Sequence, residues 1–144
     1  MLFRNRYFSG IYWTTLLLFI ANKVAIRPYV LVHNFPETIQ VFVLSFPNLC
    51  EAIVGSFVLL NFAMYINSKH ITAAHKWSEK KIYIAVFTFA ALFVITQELK
   101  IHNLGGRNVY DPNDLVFSII GLILSFALLM YIRPQLIKMN TYVG

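Results

Sequence analysis

The side chains best suited to chemistry lie between Thr96 and Ser125, where the chain reads TQELKIHNLGGRNVYDPNDLVFSIIGLILS. Gln97, Glu98, Arg107, Asp111 and Asp114 all belong to this stretch. The planar fork of Arg107 can grip a carboxylate or a phosphate through two hydrogen bonds. Gly105 and Gly106, just before it, permit a tight turn that folds the segment back over nearby helix ends. Carboxylates crowded at a low-dielectric boundary acquire separated proton affinities and can divide acid and base roles. Glu51, distant in sequence, sits inside an apolar run, where a carboxylate must be paired, hydrated or protonated. Its alternative reading is structural, since a carboxylate near a helix N-terminus is helped by the macrodipole and can reach the headgroups.

Other chemistries find little support. No nucleophile–base motif and no phosphate-binding loop is present, so the catalytic assignment stays open. His70 and His75 are five residues apart, do not share a helix face and have no third ligand nearby, so no metal site is expected. Nor is a cofactor. Cys50, the single cysteine, can form neither an intramolecular disulfide nor a cysteine-based cluster.

The elements that position these residues must be membrane spans. Of the 144 residues, 58% are hydrophobic and only 12% are charged, against roughly 25% charged in soluble domains. The net charge of +6 is carried in short segments that flank apolar runs, which suits membrane orientation and argues against nucleic-acid binding. Four apolar runs approach the roughly 20 residues needed to cross the hydrocarbon: about 8–26, 47–66, 82–99 and 115–132. Only helices can fill this role, because four segments without strand alternation cannot close a barrel. The expected fold is therefore an all-α membrane protein, a single domain over 1–144 built as a four-helix transmembrane bundle.

Basic residues set the orientation. Arg4, Arg6, Lys69, Lys76, Lys80, Lys81, Arg133 and Lys138 flank the spans on one side, and Lys23, Arg27, Lys100 and Arg107 on the other. The richer side belongs in the cytoplasm, so both termini are expected there and the Thr96–Ser125 stretch at the outer face. The first apolar run lacks a cleavage site and reads as a retained span. Residues 27–46 are too apolar for a solvated loop. Asn34, Pro36 and Glu37 read as a helix start, giving a short interfacial helix divided from the second span at Pro47. One kinked helix from Pro36 to Ile66 is the alternative.

Asp114 is the expected N-cap of the last helix. Beyond it, Ser118, Gly121 and Ser125 share one helix face, and small residues let membrane helices approach closely. Ala52 and Gly55 offer similar small positions on the second span. Asp114 should then open toward Glu51 and Glu98, with Arg107 as their counter-ion.

These residues resemble the signature of VanZ-like membrane proteins, which runs Glu, Gln, Arg, Asp, Asn, Gly. Glu98, Arg107, Asp114 and Gly121 match its acid, arginine, aspartate and glycine. Ser118 stands where Asn is common, Ile101 where Gln is expected, with Gln97 as a displaced equivalent, and Asn48 and Glu51 replace a Lys and a His. The resemblance implies a bacterial cytoplasmic membrane, a role at the cell envelope and a link to glycopeptide resistance; it names no catalytic residue. Three functions are compatible with it. Glu51, Gln97, Glu98, Arg107, Asp111 and Asp114 bind a lipid headgroup, an envelope glycan precursor or a glycopeptide; or the chain is a structural subunit packing through its small residues against a membrane partner or a second copy; or paired carboxylates act on a lipid-linked substrate. Membrane lipids are partners in every case.

Overall fold

The computed structural model describes residues 6–69, 71, 75–98 and 111–132. Among them all regular structure is helical: α1 (Arg6–Ala21), a π-helical segment (Asn22–Ile26), α2 (Arg27–Val32), α3 (Glu37–Lys69), α4 (Glu79–Glu98) and α5 (Pro112–Ile132). Tyr7–Val32, Glu37–Lys69 and Pro112–Ile132 are each long and apolar enough to cross a membrane, which marks the chain as a membrane protein. The expected third span coincides with α4, a helix of 20 residues that opens on Glu79, Lys80 and Lys81; it is not among those three.

The expected break at Pro47 is absent. Pro47 lies inside α3, which runs unbroken for 33 residues, about 50 Å at the helical rise, so no separate interfacial helix precedes the second span. A proline costs a helix one hydrogen bond, but packing against neighbours lets membrane helices tolerate it. Val43, Ser45 and Pro47 are all buried. α2 packs against α3, with Val30 buried, and the Phe42 ring meets Phe117 of α5 edge-on at 5.5 Å. Val30 and Val43 are buried, while Tyr29, Val32, Ile39 and Phe42 are exposed, so these apolar segments are only partly covered by their neighbours.

Asn34 also differs from its expected role as a helix start. It takes a left-handed φ of 49° and ends α2: its N–H bonds the Leu31 carbonyl and the Phe35 N–H bonds the Val30 carbonyl. This is a Schellman closure, which Asn tolerates better than most residues. Pro36 then starts α3, its carbonyl accepting from the Gln40 N–H at 3.1 Å, while Gln40 Nε2 donates to the Phe35 carbonyl at 2.7 Å.

α3 is the central helix and packs against α1, α2, the π segment, α4 and α5. Toward the end of α3 that carries Lys69, the core joins Phe8, Phe57, Leu60, Met64, Ile82, Tyr83, Val86 and Leu129, with Phe8 stacked on Phe57 at 4.6 Å. Nearer the other end, the core narrows to Ala52, Ala90 and Leu122. Small residues there bring the backbones of three helices together.

Candidate functional site

Where α3, α4 and α5 converge above that small-residue core, a cleft of about 120 Å³ opens. Its polar lining is Asn48, Glu51 and Ser56 from α3, Gln97 from α4 and Ser118 from α5, with Ala52 and Gly55 in the wall. Helical spacing accounts for the convergence, since Asn48, Glu51, Ala52 and Gly55 fall on one face of α3 at intervals of three and four.

The small residues divide by role. A Cβ built on Gly121 would stand 2.5 Å from the Leu49 carbonyl oxygen and 2.9 Å from the Ala52 Cβ. At Gly55 a Cβ would meet nothing within 4 Å, so that glycine leaves space in the cleft wall and makes no close helix contact. Ser118, Gly121 and Ser125 are all buried. Ser125 Oγ donates to the Leu122 carbonyl at 3.0 Å, and Ser56 Oγ to the Ala52 carbonyl at 2.7 Å. Such back-bonding satisfies hydroxyls that lipid cannot.

Asp111, and not Asp114, caps α5. Asp111 Oδ1 accepts from the Asn113 N–H at 2.8 Å and from Asn113 Nδ2 at 2.9 Å, and the Asp111 carbonyl accepts from the Asp114 N–H at 3.1 Å. Pro112 therefore takes the first helical position, where a missing N–H costs nothing, and Asp114 falls in the third. Its charge there favours the helix dipole and reaches Glu51 electrostatically, although Asp114 does not line the cleft.

Among the described residues the cation beside Glu51 is Lys23, whose Nζ lies 3.9 Å from Glu51 Oε1, both side chains about half exposed. Lys23 also sits over the Phe19 ring at 4.7 Å. This pairing was not anticipated from sequence. Lys23 belongs to the π segment, in which the Arg27 N–H reaches back to the Asn22 carbonyl and the side-chain register shifts. Such a segment leaves no simple periodic signature. Asn22 is buried there, with its Oδ1 lacking a hydrogen-bond partner among the described residues.

Arg107 and the side chain of Glu98 lie outside the described residues, so the pairing expected between them does too. The described site thus joins Glu51, Gln97, Ser118, Ala52 and Gly55 of the expected set, adds Asn48 and Lys23, and leaves Asp111 as a cap. One carboxylate, two carboxamides and two hydroxyls line the cleft, and they can present hydrogen-bond acceptors and donors to a small polar group. Among the described residues the lining holds no second carboxylate to complete an acid–base pair. Comparison with family models, with curated protein sequences and with solved structures gives no match.

Proposed function

We propose that the chain is a VanZ-like, four-span protein of the bacterial cytoplasmic membrane that binds a polar headgroup or envelope glycan precursor from the outer leaflet in the cleft between α3, α4 and α5. The observation that carries this reading is the meeting of Asn48, Glu51, Gln97 and Ser118, from three helices, at one opening. A few placed polar groups in a mostly apolar wall are the common design of small-molecule sites. In lipid they are costly to maintain without a use.

Support for α4 as the fourth span comes from its surroundings. It packs against both α3 and α5, while Ile84, Phe89, Leu92 and Phe93 face outward. An apolar outer surface on a helix flanked by two spans needs lipid to cover it. The proposed orientation puts both termini in the cytoplasm, on the side carrying eight of the twelve basic residues.

Photo-crosslinking tests the reading. With benzoylphenylalanine at position 97, irradiation of intact membranes is expected to attach a polar lipid or precursor, whereas the same residue at exposed Val24 gives only bulk phospholipid. Identical adducts from both positions would refute it.

A further inference from the structure

A second opening lies toward the opposite end of the bundle, between the last turns of α3 and the first turns of α4. Its volume is about 340 Å³, and Phe62, Ile66, Trp77, Ala85 and Phe89 are among the residues that line it. That size falls within the roughly 300–1,000 Å³ of small-molecule sites. Asn67, the one side-chain amide in the wall among the described residues, is already committed: its Nδ2 donates to the Trp77 carbonyl at 3.0 Å and its Oδ1 accepts from the Trp77 N–H at 2.9 Å. This two-way clamp fixes the segment entering α4, and Trp77 lies against the groove with about half its surface exposed.

The rim is basic. Lys69 ends α3 and lies 6.0 Å from the Tyr65 ring centroid, Lys76 precedes Trp77, and Lys80 and Lys81 precede Ile82, which also lines the groove. All four lysines are exposed, and none of them is ion-paired among the described residues. Lys80 and Lys81 stand in the first turn of α4, where positive charge opposes the helix dipole. A bound anion would reverse that penalty.

We propose that this groove binds an anionic glycerophospholipid of the leaflet on the basic side, one acyl chain lying between α3 and α4 and the phosphate held at the Lys76, Lys80 and Lys81 rim. Charge complementarity selects the headgroup, because basic pockets at helix ends on the cytoplasmic side suit anionic lipids. The apolar wall selects the chain, and an indole at the rim matches the preference of Trp for the membrane interface. The site is separate from the cleft that holds Glu51 and does not depend on what that cleft binds.

The chain has two tryptophans, so Trp13→Phe, at an exposed position of α1, leaves Trp77 as the only one. The variant is reconstituted in phosphatidylcholine nanodiscs containing either brominated-chain phosphatidylglycerol or brominated-chain phosphatidylcholine. Trp77 fluorescence should report a preference for the anionic lipid of about fivefold or more, comparable to one lysine's attraction to an anionic surface. Raised salt and the triple substitution Lys76→Gln, Lys80→Gln, Lys81→Gln should bring the preference to about parity. Equal quenching by the two lipids would overturn the proposal, as would a preference that survives the triple substitution. So would weak quenching by both, the result expected if a second copy or another protein covers the groove.

Discussion

Gly121 of α5 packs so closely on Leu49 of α3 that a Cβ at position 121 would stand 2.5 Å from the Leu49 carbonyl oxygen. The atom in the way is backbone, which cannot rotate aside. Gly121→Ala is therefore expected to push α5 off α3 and to destabilise the protein by about 1–3 kcal/mol, the usual cost of overpacking. Gly55→Ala, with open space around its Cβ, should instead fall between neutral and about 1 kcal/mol more stable, from the better helix propensity of alanine. Unfolding by SDS in mixed micelles separates the two. Equal effects would show that the α3–α5 contact is not the close one described.

The start of α5 supplies a second comparison. Asp111→Ala removes the cap on the Asn113 N–H and should cost about 1 kcal/mol. Asp114→Asn loses only a favourable dipole interaction, about 0.3–1 kcal/mol. The same unfolding measurement ranks them, and the opposite order would return the cap to Asp114.

Ser45 is fully buried and its Oγ has no hydrogen-bond partner among the described residues. Ser45→Ala should leave stability unchanged or raise it by about 1 kcal/mol, since an unsatisfied hydroxyl is removed with little change of shape. A loss of stability in SDS unfolding would reveal a partner for that hydroxyl.

Cysteine accessibility checks the topology. In a Cys50→Ala background, a membrane-impermeant maleimide applied to intact cells is expected to label Asn34→Cys, in the turn between α2 and α3. It should leave Ser78→Cys, at the start of α4, unlabelled until the membrane is opened. Labelling of both from outside would exclude α3 as a full span.

Much of this arrangement was legible in the sequence because lipid imposes one rule on every residue of a span. Glu51 stood out as a carboxylate inside an apolar run and Gln97 as part of the polar stretch, and both line one cleft. Ser118, Gly121 and Ser125 stood out by their spacing, and all three are buried. What depends on local backbone geometry was harder to read. Pro47 is a helix breaker by type, yet α3 continues through it with Pro47 buried, and packing is what lets membrane helices tolerate proline. Asp111 and Asp114 are equally good caps by type, and Pro112 decides between them by taking the first helical position. Lys23 is brought to Glu51 from a π-helical segment, whose altered register no hydrophobic period reports.

The central claim, that the cleft between α3, α4 and α5 holds a polar ligand, is tested most directly by native mass spectrometry of the protein released from its own membranes in mild detergent. Gly55 lines the cleft and has free space at its Cβ, so Gly55→Leu fills the site without disturbing the packing of Gly121. A specific polar adduct is expected on the wild-type protein, retained by Gly10→Ala on α1, and weakened about tenfold or more, equivalent to about 1.4 kcal/mol, in Gly55→Leu and Glu51→Gln. The same adduct at the same occupancy in Gly55→Leu would contradict that claim.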